Sequence, residues 1–354
     1  MPRTSDRSKT KIPGKASLQR VTEMAGVSAS TVSRYLNGTA HVSEEKRIAI
    51  ERAIQKTGFV ADPIAAGLAG GKSRCIGVIT QSLDSPFYGQ CLLGIEDVLH
   101  DVHYLPLFLS GHWREEDERR CIAMLERRRV DGLIILTSCL SDAVLLDHSE
   151  KVPMVVTGRN LESDGLLSLY FDNYQGGLMA TTHLIELGHR DIAFIKGTQS
   201  HPDAVDRYRG YRAALKMHGI PHDAGLVKQG NFVEVGGLEA TRELLQEGRK
   251  FTAIFAANDQ MAMGAALALS EKGLTVPGDV SLVGFDDLVG SPYFQPPLKT
   301  VRHSMYQTGR VAANAMLAML GNQEPQLDPP KPELMVRSST RSLSAPQRSR
   351  RKSS

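Results

Sequence analysis

The sequence of 354 residues contains few cysteines and no long apolar run. Its cysteines, Cys75, Cys91, Cys121 and Cys139, show neither C-x-x-C spacing nor a neighbouring histidine cluster, so neither a disulfide framework nor a zinc site is predicted. No apolar stretch reaches the roughly 18–20 residues that span a bilayer. The N-terminal residues carry charges but lack the apolar segment of a secretory signal. These absences favour a reduced, cytoplasmic protein without a membrane partner.

Sequence patterns of catalysis are also missing. The chain shows no glycine-rich phosphate loop, no cluster with metal-ligand spacing and no Ser/His/Asp arrangement in a recognisable context. We therefore predict that the protein is not an enzyme. The prediction includes no catalytic residue, no cofactor and no bound metal.

Charges of the two signs are unevenly distributed along the chain. Residues 1–74 hold 13 Lys and Arg against 6 Asp and Glu, and residues 341–354 hold five against none. The overall charge is +3, so the middle of the chain is left at −9. A basic head on an acidic body predicts that the head binds a polyanion. The basic C-terminal stretch is predicted to be a solvated, disordered tail.

The head has the pattern of three short helices. Ser17 and Ser28 are suitable N-caps for two helices that meet at Gly26, and a third helix begins at Ser43 and ends at Gly58. Apolar residues recur at helical spacing in each segment, so the three helices can pack together. A tight turn at the glycine can hold the first two helices near perpendicular, as in a helix-turn-helix.

Small side chains face outward at the start of the second helix. Ala29, Ser30 and Ser33 would let this face enter a DNA major groove about 12 Å wide, and Arg34 can bind O6 and N7 of guanine. Helix N-termini suit phosphate oxygens. The alternative is an ordinary helical hairpin with an exposed serine-rich side. The DNA-binding candidates in the head are Ser17, Ser28, Ala29, Ser30, Thr31, Ser33, Arg34 and Asn37.

Residues 62–74 have the composition of a link between the head and the remaining chain. Asp62 and Pro63 can begin a helix of about two turns before a Gly-Gly stop. Because isolated helices this short are unstable in water, we expect this one to form only when another component holds it.

From Cys75 onward, apolar β-rich runs such as "CIGVIT", "VPMVVTG" and "DVSLVGFDD" alternate with amphipathic stretches. Continuously apolar strands in this alternation predict parallel sheets covered by helices on both faces. About nine or ten such units over some 260 residues predict two sheets rather than one.

Polar and aromatic side chains follow these predicted strands where each strand ends. Ligands bind beyond the carboxyl ends of strands in open parallel sheets. A cation, carboxylates, an amide and aromatic rings there suit a polyhydroxylated ring. Alternatives remain open: Asp259 is favoured as a helix N-cap, Asp172 can be a turn residue, and Phe87 and Tyr88 can belong to the core. The strand-end candidates are Ser85, Phe87, Tyr88, Arg159, Asp172, Asn258 and Asp286.

The segment "LQRVTEMAGVSASTVSRYLNGTAHVSEEKRIAIERAIQKTGF" resembles the DNA-binding head of the lactose-repressor (LacI/GalR) family of bacterial transcription regulators. The resemblance continues through "RCIGVITQSLDSPFYGQ", "HLIELGHRDIAFIKG", "NDQMAMGA" and "DVSLVGFDD" and covers about residues 17–340. It implies a homodimer that binds a near-palindromic operator, with Ala29, Ser30 and Arg34 on major-groove bases. It also implies that Leu68 of the link wedges into the minor groove and kinks the duplex. The alternative for Leu68 is a linker residue packed on the body.

The family's effector domains resemble periplasmic sugar-binding proteins. By that resemblance, Arg207 in "DRYRGY" and Phe232 in "QGNF" join the strand-end candidates as pocket residues. Two departures remove hydroxyl partners, because Gly158 replaces a frequent Asp and Ser85 replaces a frequent Asn. The effector-binding candidates are Ser85, Phe87, Tyr88, Arg159, Asp172, Arg207, Phe232, Asn258 and Asp286.

The predicted fold is an all-α helix-turn-helix head followed by an α/β periplasmic-binding-protein-like core of two parallel-sheet subdomains. The predicted function is a sequence-specific DNA-binding regulator, usually a repressor in this family, whose operator affinity a sugar-like effector changes. The alternatives are a sugar-binding solute receptor and a repressor that requires a purine-type corepressor. The predicted segments are an arm (1–16), the head (17–61), a hinge (62–74), the effector and dimerisation domain (75–340) and a tail (341–354). Within that domain one subdomain takes about 75–173 and 302–328, and the other about 174–301 and 329–340.

Overall fold

The computed structural model describes residues 17–37, 41–59, 72–199 and 201–343. The chain divides into two compact units, residues 1–74 and 75–354. The predicted arm, Leu68 with most of the predicted hinge, and the tail beyond residue 343 lie outside the described residues.

The described part of the head consists of three helices: α1 (Leu18–Ala25), α2 (Ala29–Asn37) and α3 (Glu44–Thr57). Their contact surface is small and apolar. Val21, Val32, Ile50 and Ala53 are buried there, one or two from each helix.

The helix ends in the head follow the predicted capping pattern. The Ser17 hydroxyl accepts a hydrogen bond from the backbone N–H of Arg20, and Gly26 ends α1 in the left-handed conformation with φ of 65°. Gly58 ends α3 in the same way. Ser43 precedes α3 as predicted, although its side chain makes no capping hydrogen bond.

The second unit contains two β-sheets, which confirms the predicted fold class. The first sheet has the strand order β2-β1-β3-β4-β5 and is parallel throughout. The second has the order β11-β10-β9-β8-β6-β7 and is parallel except for β11, an antiparallel edge strand. The strands are β1 (Cys75–Thr80), β2 (Leu105–Ser110), β3 (Gly132–Ile135), β4 (Met154–Thr157), β5 (Leu166–Leu169), β6 (Ile192–Lys196), β7 (Val227–Gln229), β8 (Ala253–Ala256), β9 (Ser281–Asp286), β10 (Lys299–Arg302) and β11 (Glu333–Met335).

Helices cover both faces of the sheets. The α-helices of this unit are α4 (Pro86–Asp101), α5 (Glu115–Arg127), α6 (Asp142–Ser149), α7 (Asn173–Glu186), α8 (Pro202–Met217), α9 (Glu234–Gln246), α10 (Asp259–Glu271) and α11 (Met305–Leu320). Neighbouring β3 residues show the two-sided cover, since Ile134 packs with α4 and α11 while Ile135 packs with α5 and α6. Alternate strand residues therefore fill two separate cores, as a sheet buried on both faces requires.

Each sheet with its helices forms a lobe, and the chain passes between the lobes three times. Lobe 1 is the first sheet with α4, α5, α6 and α11; lobe 2 is the second sheet with α7 to α10. The chain crosses after β5, again between β10 and α11, and finally between α11 and β11. Strand ends from both lobes are consequently brought to one region. No described helix is long and apolar enough to cross a membrane.

Candidate DNA-binding face and ligand cleft

The N-terminal turn of α2 presents small polar side chains to solvent. Ser28, Ala29, Ser30 and Arg34 are exposed, whereas Thr31 and Ser33 are partly buried. The Ser28 hydroxyl lies 2.8 Å from the Thr31 hydroxyl and 2.9 Å from the Ser30 hydroxyl, and it accepts from the Thr31 backbone N–H at 3.3 Å. These short side chains leave room for another surface to approach the helix.

The opposite side of α2 is fixed to the rest of the head. Val32 is fully buried, and the Tyr35 hydroxyl donates to the Glu51 carboxylate of α3 at 2.9 Å. Arg47 donates to the same carboxylate at 2.6 Å. The exposed face is therefore held in position by both apolar packing and a polar link to α3.

Arg207 of α8 lies at the centre of the strand ends in lobe 2. Its side chain is buried; Nε donates to the Asn173 side chain at 2.8 Å, and Nη1 donates to the Ala257 carbonyl at 2.5 Å. Nη1 also lies 3.2 Å from Asp286 Oδ1. The guanidinium stacks over the Phe285 ring, 3.7 Å from its centroid. Such multiple restraints fix the direction of a planar cation.

Asp286 ends β9 in a left-handed backbone conformation, with φ of 106°. Burial raises the pKa of its carboxyl to about 8, and the neighbouring Arg207 guanidinium opposes this rise only in part. Oδ1 is buried and has no well-aligned hydrogen bond among the described residues, despite its short distance to Arg207. A strained residue that carries a partly satisfied carboxyl is typical of a binding site.

Asn258 and Phe232 complete the group around Arg207. The Asn258 side chain caps α10 by accepting from the Met261 backbone N–H at 2.9 Å, and it donates to the Phe232 carbonyl at 2.8 Å. Phe232 has φ of 68°, and its ring centroid lies 5.8 Å from the Arg207 guanidinium. The structure thus brings together four predicted residues: Arg207, Phe232, Asn258 and Asp286.

The prediction that Asp259 caps α10 is wrong, because Asn258 takes that position. Asp259 is buried, and its carboxylate accepts from the Ser291 and Thr300 hydroxyls at 2.6 Å and from the Leu288 backbone N–H at 2.9 Å. Burial raises its pKa to about 6. Asp259 therefore connects α10 to the loop after β9 and to β10.

Aromatic rings connect the lobe 1 side of the cleft to the core of lobe 2, to which Phe171 belongs. The Phe87 ring packs edge-on against Tyr88 at 5.2 Å and against His303 at 5.6 Å, and His303 stacks on Phe171 at 3.6 Å. Tyr88 is buried, as the core alternative proposed, while Phe87 is partly exposed. Ser85 precedes α4 without a side-chain capping bond.

Arg159 and Asp172 are engaged elsewhere. The Arg159 guanidinium donates to Asp142 and to the carbonyls of Ser138 and Leu140, so it secures the loop before α6. Asp172 is exposed and caps α7, accepting from the Gln175 backbone N–H at 2.8 Å. Neither side chain bonds to Arg207 among the described contacts, and Asp172 is a helix N-cap rather than the turn residue of the alternative.

Five residues near the cleft were missed by the sequence analysis: Trp113, Asn173, Asp203, His201 and His303. Asn173 directly follows a candidate in "FDN", so the strand-end rule would have found it one position later. Trp113 lies three residues after β2, so the same rule could have found it, and His303 directly follows β10, a strand without a continuous apolar run. His201 and Asp203 lie at the start of α8, where no strand-end pattern applies.

A cavity lies between the lobes and is lined by Phe87, Gly158, Phe171, Asn173, Asp203 and His303, among others. It encloses about 20 Å³, enough for roughly one water molecule. This cavity is smaller than a sugar ring. The described residues contain no group of His, Cys, Asp and Glu side chains suited to a metal ion.

The head with its exposed helix face, joined in sequence to a two-lobed α/β unit with a polar cleft, defines a ligand-responsive DNA-binding regulator. Comparisons with known protein families support this class of protein. Residues 17–62 match the bacterial regulatory proteins of the lacI family, and residues 73–333 match the periplasmic binding proteins and sugar-binding domain of the LacI family. The chain belongs to the LacI family of bacterial regulatory proteins.

Similar proteins cover nearly the whole chain. The HTH-type transcriptional regulator GalR of Escherichia coli (strain K12) is 35% identical over 309 residues, 87% of this chain and 90% of GalR. The transcriptional repressor PurR of Actinobacillus pleuropneumoniae serotype 3 (strain JL03) is 33% identical over 334 residues, 93% and 99% of the two chains. These relatives are transcriptional regulators rather than enzymes.

Solved structures show the same similarity. The Lac repressor dimer bound to operator and the anti-inducer ONPF has a TM-score of 0.82 at 30% identity, covering 92% of this chain and 99% of that one. The transcriptional regulator CelR in complex with cellobiose has a TM-score of 0.68 at 32% identity, covering 91% and 99%. The chain is accordingly a DNA-binding transcriptional repressor that a small-molecule effector modulates.

Proposed function

We propose that this chain represses transcription as a homodimer on a near-palindromic operator and that a carbohydrate in the cleft changes its affinity for that DNA. The observation that carries the proposal is the Arg207 guanidinium, held by Asn173 and Ala257 beside the incompletely bonded Asp286 carboxyl. A fixed cation next to a carboxyl suits vicinal hydroxyl groups, which accept from one and donate to the other. We place this activity in the cytoplasm, where the operator DNA of a bacterial regulator lies.

In the head, Ala29, Ser30 and Arg34 are proposed to contact base edges in the major groove. Their exposure at the start of α2 supports this assignment. The N-termini of α1 and α2, at Ser17 and Ser28, are oriented by their caps and would bind phosphate oxygens. Thr31, Ser33 and Asn37 lie on the same helix and would flank these contacts.

In the cleft, the lobe 2 group around Arg207 is proposed to hold the sugar hydroxyls. Phe87 and Phe232 would cover its C–H surfaces, while Tyr88 and Ser85 support the lobe 1 wall. Arg159 and Asp172 would act through the loops they hold, since their side chains are engaged there.

The coupling between the sites is proposed to run through the link at residues 62–74, which includes Leu68. A short helix there would form when two heads bind one duplex and would be lost when ligand changes the arrangement of the lobes. For an efficient switch the ligand must favour the weakly binding state by several kcal/mol.

The test begins by selecting a binding sequence from a random duplex library with the full-length protein. We expect an approximate palindrome. Replacing Arg34→Ala should weaken binding to it about ten- to hundredfold, because a bidentate contact to guanine contributes about 1–3 kcal/mol. The matched control is Arg119→Ala, which removes the same charge from an exposed site on α5.

Gel shifts on the selected duplex, with and without sugars, then give the sign of the response. Weaker binding with sugar is the expected result. A ligand that tightened binding would make the chain a corepressor-dependent repressor. No preference for any duplex over random DNA, with or without ligand, would refute the proposed function.

A further inference from the structure

The outer face of α8 carries three cationic side chains in one row. Arg209, Arg212 and Lys216 have the spacing i, i+3 and i+7, and all three are exposed. Residues at this spacing lie on the same side of a helix, and like charges there repel one another. The buried Arg207 and Tyr211 lie on the opposite face. The row is therefore an arrangement that the stability of the helix does not favour.

Few carboxylates balance these charges. Arg209 pairs with Asp206 at 2.7 Å, whereas neither Arg212 nor Lys216 forms an ion pair with a residue that the structure describes. Lys196, which ends β6, lies 4.5 Å from the centroid of the Tyr208 ring and adds a fourth cation beside the row. The chain from residue 75 to residue 340 is acidic as a whole, so this cluster is a local excess of positive charge. Such an excess attracts an anion.

Aromatic rings stand among these cations. The Arg209 guanidinium lies 5.7 Å from the centroid of the Tyr174 ring, at the start of α7. The His222 ring, in the loop after α8, is edge-on to Tyr208 at 6.0 Å, and its Nε2 lies 2.9 Å from the Tyr208 hydroxyl. The Arg212 guanidinium lies 5.9 Å from the same tyrosine ring. Cations interleaved with ring faces are typical of surfaces that bind phosphate groups joined to planar bases.

The cations and rings line a groove between α8, the start of α7 and the loop after α8. Its volume is about 460 Å³, within the range of roughly 300–1,000 Å³ that small-molecule sites occupy. Leu215 and Ile220 add apolar contacts, and the described lining includes no Asp or Glu. The cavity between the lobes shares no lining residue with this groove. The groove is therefore a separate place on lobe 2.

The His222 imidazole responds to the positive charge of the groove. Burial lowers the pKa of this ring, and the charges of Arg212 and Lys196 lower it further, while the Asp223 carboxylate opposes them. An anion bound beside the ring would act against both cations and would raise this pKa. His222 can consequently report whether an anion occupies the groove.

We propose that this groove is a second ligand site, which takes a phosphate monoester joined to a planar ring, as in a nucleoside monophosphate. Arg212 and Lys216 bind the phosphate oxygens, and the planar ring packs against Tyr174 and His222. The bound phosphate offsets the repulsion along α8. This inference goes beyond the proposed function, because the groove contains neither a cleft candidate nor a DNA-binding candidate.

Calorimetry on the full-length protein, at a salt concentration of about 0.15 M, tests the ligand class. The probes are the 5′-monophosphates of adenosine, guanosine and cytidine, the three matching nucleosides, ribose 5-phosphate and inorganic phosphate. We expect at least one nucleotide to bind with a Kd below about 1 mM. Binding that depends on Arg212 should be at least about tenfold weaker for the matching nucleoside, for ribose 5-phosphate and for inorganic phosphate, since each lacks the phosphate or the planar ring.

Variants locate the site. Arg212→Ala and Lys216→Ala should each weaken the nucleotide about tenfold, because each removes a charged contact to phosphate. Alanine favours a helix, so these changes should leave α8 folded, as melting temperatures will verify. Arg127→Ala serves as the control, because it removes an equally exposed charge from the last turn of α5 in lobe 1 and should bind the nucleotide as the parent does.

The pKa of His222 gives a second readout. Histidine resonances in NMR spectra, with His222→Gln to identify the signal, should show this pKa rising by about half a unit or more when the nucleotide is bound. The same nucleotide concentration should leave the pKa unchanged in Arg212→Ala.

Failure of all three nucleotides to bind below about 1 mM would overturn the inference. Parental affinity in a folded double variant, Arg212→Ala with Lys216→Ala, would do the same, as would an unchanged His222 pKa in the nucleotide complex. Ribose 5-phosphate or a nucleoside that binds as tightly as the nucleotide, and loses affinity in Arg212→Ala, would contradict the assigned ligand class. Without nucleotide the double variant should bind operator as the parent does, so this inference and the proposed function fail separately.

Discussion

Two opposing effects determine the pKa of the Asp286 carboxyl group. Burial favours its neutral form, while the Arg207 guanidinium favours the charged form, and the net result is a pKa of about 8. Asp259 and Asp203 nearby strengthen the first influence. The group therefore remains largely protonated near neutral pH and can donate a hydrogen bond to a ligand, as well as accept one.

The same carboxyl predicts a pH dependence of stability. The pKa of Asp286 is higher in the folded chain than the ordinary value of 3.8. The contribution of this group to the free energy of unfolding is therefore largest below pH 3.8 and is lost as the pH rises through about 8. The variant Asp286→Asn has no titrating group at this position, so it does not lose stability in this way as the pH rises. Relative to the parent, the variant should gain stability of order 1 kcal/mol between pH 6 and pH 8. Melting curves across this range give the difference; a difference that does not change with pH contradicts the assigned protonation.

Individual site residues were predictable where the local pattern determined them. Asp286 follows from a strand end, whereas Arg207 follows from the resemblance of "DRYRGY" to the family's pocket motif; the structure places the two side chains 3.2 Å apart. The choice between Asn258 and Asp259 as the cap of α10 was not predictable, because both types cap helices well. Ser291 and Thr300, which are distant in sequence, bind the Asp259 carboxylate, and the cap position is left to Asn258. The edge-to-face contact between Trp113 of lobe 1 and His201 of lobe 2 depends on the arrangement of the two lobes, which no short segment encodes.

At the scale of elements, long helices and continuously apolar strands were predictable from the sequence, and short strands without an apolar run were not. The caps at Ser17 and Gly26 are local interactions, so the sequence pattern located α1 correctly. Strands β7, β10 and β11 have only three or four residues and show no continuous apolar run. Their conformation comes from pairing with neighbours, as Thr300 of β10 pairs with Gly284 of β9 on one side and Met335 of β11 on the other.

The turn between α1 and α2 gives a prediction about the head. Gly26 has φ of 65°, and a Cβ built there would meet no atom within 4 Å. Gly26→Ala should therefore cost about 1 kcal/mol through backbone strain alone. Hydrogen exchange of α1 and α2 in the full chain should become faster, and operator affinity should fall.

The comparison variant is Gly89→Ala in α4. Its site is equally open, but the backbone there is helical, so alanine should be neutral or stabilising by up to about 1 kcal/mol. Equal effects of the two substitutions would show that backbone conformation at Gly26 does not limit the stability of the head.

On the scale of the whole molecule, the broad organisation follows from composition and alternation. The concentration of positive charge before residue 75 separates a DNA-binding head from an acidic body, and the strand-helix alternation predicts the two sheets. What alternation does not reveal is that the chain passes between the lobes three times. Three parallel connections restrict the lobes to movement about a common hinge, so ligand between them can change their relative orientation without unfolding either core.

Removing the head tests how the two units depend on each other. All cleft residues lie in the unit 75–354, so that fragment should bind the carbohydrate effector with the affinity of the DNA-free full chain and should not bind operator. Linkage adds a quantitative requirement: if sugar weakens operator binding by some factor, operator must weaken sugar binding by the same factor. Calorimetry with and without the selected duplex should therefore show equal factors for the full chain and no effect of DNA on the fragment. Unequal factors at equilibrium would mean that the sugar that changes DNA binding occupies a different site from the one measured.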